Sequence, residues 1–557
     1  MPASSSTIQA FANNDDAMVV WRYSKKISNC WGFALYRKRK GQTNPEVVMT
    51  SVGFENEVNS DKAQPSTVWP IQRYNWMDYF VRTGDEVSYQ VVPMLTDGNG
   101  KLVPDSKNKS PWSKWVKIGD QGDIEAYFNR GMISSQFMSR KMGDVPAKEW
   151  SKKLKELLAD PKSKVRNFLG GNLLFAFYRL LNEVKNNKDL KLYTALYELN
   201  EPELIKKLNE VGKRANVILA NGAFGAKGND PEEENAKLLK KVTLTRRIVK
   251  SPHFAHNKFL VVTDSSSGKE LPVKVLTGST NWTRNGLFTQ VNNAVIIHDK
   301  SVAAYYKKAW DAIHADCDDG AGLYGADLKK FNSTVQSNKS KKINTYFTPV
   351  PQQIDMIEAK KYIQKAKRGI LFLMFKPANS MESETLYKDI KDLADKKGLF
   401  VSGVINGDPG GKQNPTIKFY HKGKEQQGSF NSILPASLKS PFDFWLQEMG
   451  KPSVTIHSKV VVIDPFSDNP VVMTGSHNMG EKASRSNDDN LNIIVGNKPL
   501  AKGYGIHMMA VYHHYRWRFY RTNNAKPKWK GNIRDDIWQS WFTQGFNLKE
   551  LDFWTKP

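Results

Sequence analysis

Two stretches of the chain carry the same side chains in the same order. One, from His253 to Asn281, reads HFAHNKFLVVTDSSSGKELPVKVLTGSTN; the other, from Val454 to Asn478, reads VTIHSKVVVIDPFSDNPVVMTGSHN. In each, a histidine and a lysine stand two apart at the head of an apolar run: His256 with Lys258, and His457 with Lys459. A spacing of two puts both side chains on one face of a strand, with their neighbours facing a core. Each run then passes an aspartate and ends in Gly-Ser-x-Asn, giving Ser279 and Asn281 in the first copy and Ser476 and Asn478 in the second. An imidazole, an ammonium group and several hydrogen-bond donors in one small volume are the tools for attacking a phosphodiester. Two such sets brought together by a pseudo-twofold axis would place histidines on opposite sides of one phosphorus, as in-line displacement requires.

The elements that must position these residues repeat as well. Ahead of the first motif, NLLFAFYRLLNEVKN has helical spacing, LKLYTALYEL reads as a strand, EPELIKKLNEVG as an amphipathic helix and ANVILANG as a buried strand. Ahead of the second, IEAKKYIQKAKR, GILFLMF, SETLYKDIKDLADKKG and LFVSGVING give helix, strand, helix and strand. Asn281 and Asn478 lie 197 apart, as do Asn293 and Asn490, whereas His256 and His457 lie 201 apart, the extra residues falling in the loop SSSGKEL. A repeat of that length is two fused α/β domains rather than a solenoid. The expected organisation is an all-β sandwich over 1–120, a helical connector over 121–160, a first α/β repeat over 161–330, a linker over 331–345 and a second repeat with a C-terminal extension over 346–557. The sandwich rests on AMVVWRY, GFALYRKRKG, EVVMTSVGF, DEVSYQVVPML and PWSKWVKIG, short alternating runs between turn residues. Their pattern resembles a fibronectin type III domain.

Composition describes a folded protein whose charge points toward a polyanionic partner, with a basic surface that binds none as the alternative. Of 557 residues, 39% are hydrophobic and 11% aromatic, while 82 Lys and Arg against 56 Asp and Glu leave a formal charge of +26. Nucleic acid and an anionic membrane surface both fit that charge. Two cysteines, Cys30 and Cys317, rule out a disulfide framework or a cysteine-type zinc site. His253 with His256, and the pair His513 and His514, lack the acidic or thiol cluster that would complete a metal site, so neither metal nor cofactor is expected. The N-terminal stretch has no signal-peptide pattern and no run approaches a membrane span, which predicts a soluble protein, cytoplasmic or exported by a signal-independent route.

His256, Lys258 and Asn281, together with His457, Lys459, Asp464 and Asn478, resemble the duplicated HKD motif of the phospholipase D superfamily, over roughly residues 160 to 520. The spacing from Gly278 to Asn293 recurs from Gly475 to Asn490, and YFTP and AKRGILFL in the second copy are similar to that family too. The resemblance implies two PLD-like α/β domains with pseudo-twofold symmetry and a two-step, metal-independent reaction through a phosphohistidine. Lys258 and Lys459 would neutralise phosphate charge, while Asn281, Asn478, Ser279, Ser476, Asn292, Asn293, Asn490 and Asp464 would bind phosphate or support the site. Asp489 stands where the family has the acid that orients a histidine, and the first copy has Asn292 there, an amide also found in tyrosyl-DNA phosphodiesterases. Taken within its own copy, Asp489 would favour an imidazolium on His457, making His457 the acid and His256 the nucleophile, with the reverse assignment open. Asp264 follows its lysine one residue later than Asp464 does, which argues against a catalytic role. His477 is expected to line the site, and the basic, aromatic YHHYRWRFYRTNNAKPKWKG is either a strand-binding surface or a packed helix.

TGSTNWT followed by NNAVII resembles the branch that holds bacterial endonucleases and a cardiolipin-cleaving relative. With the charge, this puts nucleic acid first as substrate and an anionic phospholipid second. A catalytically inactive polyanion-binding scaffold is the third reading, and intact His-Lys pairs argue against it. With both half-sites in one chain, a monomer suffices.

Overall fold

A computed structural model describes residues 5–54, 57, 63–97, 99–119, 122–131, 145, 149–223, 230–318, 325–334, 337–338, 342–375, 384–397, 399–405, 430–433, 456–523 and 531–556. The repeat is visible in the order of the strands. The first sheet runs Ile124–Phe128, Asn293–Ile297, Leu271–Gly278, Lys258–Asp264, Leu190–Leu196, Ala215–Ala220 and Thr243–Arg247. The second runs Ser337–Asn338, Ile343–Phe347, Asn490–Val495, Val471–Gly475, Val460–Ile463, Gly369–Met374, Phe400–Ile405 and Phe430–Ile433. Apart from the two-residue strand at its edge, the second sheet repeats the first strand for strand. The central strands, KFLVVTD and VVVI, are β-branched and buried almost throughout, because helices cover both faces of each sheet.

Helix Lys164–Asn186 covers the outer face of the first sheet, starting at Ser163, whose side chain accepts the Arg166 N–H. It bends at Gly171, where φ is +52° and the backbone runs close to Phe128. Helix Lys300–Asp318 lies on the inner face of the first sheet and reaches the second through Tyr306. Helix Lys498–Asn523 does the reverse, reaching the first sheet through Tyr504. These two helices and the facing strands share one continuous apolar core.

Two corrections to the sequence-based boundaries follow. The stretch 121–160 is more than a helical connector: helix Trp150–Ala159 is present, but Ile124–Phe128 pairs with Asn293–Ile297 as the edge strand of the first sheet. Its counterpart Ile343–Phe347 begins inside the segment read as a linker, 331–345. The pattern IEAYF is too short to stand out from its surroundings and becomes a strand only because the sheet has an open edge to receive it.

The N-terminal region forms two facing antiparallel sheets. One holds Ser6–Ala12, Ala17–Tyr23 and Asn75–Asp78; the other holds Val116–Lys117, Glu86–Thr96, Cys30–Arg39 and Glu46–Val47. Its interior is aromatic, and one of the rings comes from the far end of the chain. Trp538 packs edge-on against Phe33 at 5.4 Å and donates its indole N–H to Cys30 O at 2.9 Å. Gln539 holds Ile27 through both its amide groups. The C-terminal extension is thus part of the β-region's core. Of the basic aromatic stretch, Tyr512 and Tyr515 are buried in the helix, while side chains 517–523 and residues 524–530 lie outside the described residues.

Candidate active site

Each His-Lys strand is tied at its head to the other copy. Phe254–Ala255 pairs in parallel with Asn487–Asp488, and Ile456 forms the equivalent bridge with Val291. The His256 N–H therefore donates to Asp488 O at 2.8 Å and the His457 N–H to Val291 O at 2.9 Å. Such reciprocity is what a twofold axis imposes. It also decides which residue each histidine meets, since the side chain after Asp488 lies beside His256 and the side chain after Val291 beside His457.

The pairing differs from the within-copy expectation. Asp489 Oδ1 lies 2.7 Å from His256 Nδ1, across the domain boundary. His457 Nδ1 lies 3.0 Å from both Ser279 O and Asn292 Oδ1. Asn292 donates its own amide N–H to Gly286 O at 2.9 Å, which fixes its oxygen toward the imidazole. Both histidines thus face acceptors at Nδ1, carry a proton there and turn Nε2 free. The carboxylate belongs to His256 and the amide to His457, the reverse of the expected partnership. Sequence alignment placed Asp489 and Asn292 correctly but could not show that the partners cross over.

Burial dominates the electrostatics. It lowers the His256 imidazolium to about 4, with Asp489 pulling the other way. It takes His457 well below its ordinary value, and Lys459, Lys258 and His256 add to the effect. Lys258 is brought down by burial to about 7, and Lys459 is likewise well below the usual lysine range. Each ammonium donates to the carbonyl of its own histidine, at 2.6 Å from Lys258 and 2.7 Å from Lys459. Burial pushes the Asp489 carboxyl up, but His256, His477 and Lys258 outweigh it and hold it ionised. Aromatic faces close the rear of each half: Tyr197 lies 4.8 Å from the His256 ring and 4.7 Å from Lys258 Nζ, and Phe375 lies 4.7 Å from His457 and 4.9 Å from Lys459 Nζ.

The remaining predicted residues divide into two groups. Asn281 and Asn478 end the two Gly-Ser-x-Asn turns, and both have a buried Oδ1 without a hydrogen-bond partner among the described residues. Ser279, Ser476, Asn293 and Asn490 are fully buried, the asparagines bonding across the two copies and the serine hydroxyls within their own. Asn293 Nδ2 donates to Thr474 Oγ1 at 2.9 Å, and Thr277 Oγ1 donates to Asn490 Oδ1 at 2.8 Å, again in twofold register. Ser279 and Ser476 accept the backbone N–H groups of Asn293 and Asn490, each at 3.0 Å. The glycines before these serines bring the two backbones so close that a Cβ would overlap the carbonyl of Asn293 or Asn490.

Two expectations are corrected, those for Asp464 and His477. Asp464 is at the far end of its strand, with φ +47°, and accepts the N–H groups of Lys367, Arg368 and Gly369 at 2.8, 2.8 and 2.9 Å. It caps a turn at the end of the strand away from His457. Asp264 caps its own exposed turn through Ser266, past a bulge at Val262 and Thr263. His477 is fully buried, 3.0 Å from Asp355, and accepts the Met479 N–H at 2.9 Å, so it braces the Gly-Ser-x-Asn turn from behind. His253 bonds Ser486 O and His513 pairs with Glu550. No group of three His, Cys, Asp or Glu suited to a metal ion occurs among the described residues.

Two residues carried no sequence signal. Arg247, at the edge of the first sheet, bridges Asp488 at 2.9 Å and Asp316 at 2.5 Å, anchoring the segment that carries Asp489. Glu198, at the C-terminal end of strand Leu190–Leu196, accepts from Asn281 Nδ2 at 2.6 Å. The only pointer to either is structural: Tyr197 and Phe375 occupy equivalent strand ends, and Glu198 is the next residue.

No curated protein matches the chain. Among solved structures, the chain is similar to phosphatidylserine synthase of Haemophilus influenzae Rd KW20, with 12% identity over 61% of this chain and 84% of that one and a TM-score of 0.39. It is similar to yeast tyrosyl-DNA phosphodiesterase, with 11% identity, 58% and 87% coverage and a TM-score of 0.33. The Nuc protein of Salmonella typhimurium matches with 16% identity, 31% and 94% coverage and a TM-score of 0.19. A family model described as "Cardiolipin synthase, PLD-like domain" matches residues 180–313 and 359–508, one stretch in each copy. With its two matched halves meeting at paired His-Lys strands, the chain belongs to the phospholipase D superfamily of phosphoric diester hydrolases and transferases.

Proposed function

We propose that the protein cleaves phosphodiester bonds of nucleic acid through a covalent phosphohistidine, without a metal ion. The observation that carries the mechanism is the crossed pairing. Asp489 fixes the His256 proton on Nδ1, leaves the Nε2 lone pair free and stabilises the positive charge that develops when Nε2 bonds to phosphorus. His256 is accordingly the nucleophile. His457, held by neutral oxygens, acts as the acid: the arriving phosphate anion offsets the lysine charges that depress its imidazolium, and Nε2 then delivers a proton to the leaving oxygen. In the second step His457 takes a proton from water as that water attacks phosphorus, the P–Nε2 bond breaks and His256 is released. Lys258, Lys459 and Asn478 hold the non-bridging oxygens, while the Asn281 amide nitrogen is engaged by Glu198.

The charge of +26 supports nucleic acid as the polyanion. A phosphatidyl hydrolase or transferase is the second reading, favoured by the description of the matching family model. Among the described residues no helix is long and apolar enough to cross a membrane. The test uses purified protein with chelator on single- and double-stranded DNA, RNA, and anionic and zwitterionic phospholipid vesicles, beside His256→Ala and His457→Ala. Nucleic-acid cleavage lost in both variants is the expected result. With a p-nitrophenyl diester, whose leaving group needs no proton, His457→Ala quenched in alkaline detergent should retain phosphoenzyme and His256→Ala should have none. Cleavage of lipid alone would move the assignment to the second reading.

A further inference from the structure

A carboxylate in a site built for an anion needs a purpose, and Glu198 has no place in the mechanism above. It is largely buried, within electrostatic reach of both Lys258 and Lys459, and its Oε2 takes a hydrogen bond of 2.6 Å from Asn281 Nδ2. That bond settles the orientation of the Asn281 amide. The nitrogen is turned to Glu198, so Oδ1 is left as an acceptor, buried and unpartnered among the described residues. Glu198, which also faces the Ala223 backbone N–H, and Asn281 therefore offer a ligand an acceptor pair beside the phosphate-binding lysines. A second phosphate oxygen would be repelled there, and a cation would duplicate the two ammonium groups already present. A neutral donor, a hydroxyl, fits both. Burial raises the Glu198 carboxyl above its ordinary range while Lys258 opposes the rise, and in such surroundings a hydroxyl donor is worth more than at the surface.

We infer that Glu198 and Asn281 recognise a free hydroxyl on the carbon skeleton next to the scissile phosphate, which on a nucleic acid is the ribose 2′-hydroxyl. The inference rests on the nucleic-acid reading above and narrows it to RNA, since the 2′-hydroxyl is the group by which a protein tells RNA from DNA. The hydroxyl is bound and not consumed: no bond to it forms or breaks, and the nucleophile remains His256.

The experiment compares kcat/KM of the wild-type protein on one oligonucleotide sequence made as RNA, DNA, 2′-fluoro and 2′-O-methyl forms, the last two unable to donate. RNA should be favoured about 10- to 100-fold over the other three, the range of one hydrogen bond to a charged group. In Glu198→Gln the RNA-to-DNA ratio should fall toward one, and Glu198→Asp should restore part of it. Because the wild-type comparison alters only the substrate, it holds even where a variant fails to fold. Equal rates on RNA and DNA, or a ratio unchanged in Glu198→Gln, would overturn the inference and leave the phosphodiesterase reading standing. Hydrolysis of phosphatidylglycerol vesicles with RNA untouched would overturn it in favour of a lipid hydroxyl. Failure on every diester would overturn both.

Discussion

Replacing Asp489 by asparagine would give His256 the kind of partner His457 already has. The substitution keeps shape and an acceptor at 2.7 Å from His256 Nδ1, and removes one charge from a fully buried site. When Nε2 bonds to phosphorus the imidazole becomes cationic, and its charge centre lies roughly 4 Å from the carboxylate. At an effective dielectric of about 20 that attraction is worth about 4 kcal/mol. The amide oxygen returns about 1 kcal/mol as an ordinary hydrogen bond, leaving a loss of about 3 kcal/mol, or roughly 10²-fold in kcat/KM. The assay is single-turnover cleavage with an alkaline detergent quench, which preserves the acid-labile P–N bond and so separates phosphoenzyme formation from its hydrolysis; formation should carry the loss. Asn292→Asp is the companion, and it should slow the reaction by holding a proton on His457 less readily given up. A fall under about threefold in Asp489→Asn, with the melting temperature maintained, would refute the reasoning. So would phosphate trapped on His457.

Lys459→Met should lower kcat/KM by at least about 10²-fold without lowering the melting temperature, because the buried ammonium costs the empty site more than it contributes. Asp464→Ala orphans the N–H groups of Lys367, Arg368 and Gly369 and should cost about 2–4 kcal/mol in urea unfolding while kcat per folded molecule is retained. His507 is stacked on Phe128 at 4.1 Å and burial lowers its imidazolium to about 3. The unfolded imidazole takes up a proton near 6.5 and the folded one does not, so acid draws the wild-type chain toward the unfolded state from pH 6.5 downward. Relative to wild type, His507→Phe should therefore gain roughly 2 kcal/mol between pH 7 and pH 5, read from paired urea titrations.

Much of the site could be read from residue types, because chemistry that needs two histidines and two lysines leaves both pairs in the chain at a fixed offset. The strands bearing them were legible for a related reason: a run such as KFLVVTD is too apolar for any place but the middle of a covered sheet. What escaped was everything set by docking. Asp489 sits correctly in the alignment of the two copies, yet its partner lies 233 residues away in the other copy. Nothing in a linear comparison distinguishes a partner within a domain from one across the axis. Asp464 looked functional because it recurs at a motif position, but strand length carries it to the opposite end, where three N–H groups required an acceptor. Glu198 gave no signal, since a single glutamate after a strand is ordinary until Asn281 is found against it.

The reciprocal bonds at the heads of the His-Lys strands have a consequence for how the protein matures. His256 gains its orienting carboxylate only when residues 233 positions later are in place, and His457 depends on contacts 165 and 178 positions earlier. During synthesis, the first half carries its histidine before the carboxylate that orients it has been made. The contacts of both histidines are thus completed by assembly of the two copies, a step of high contact order.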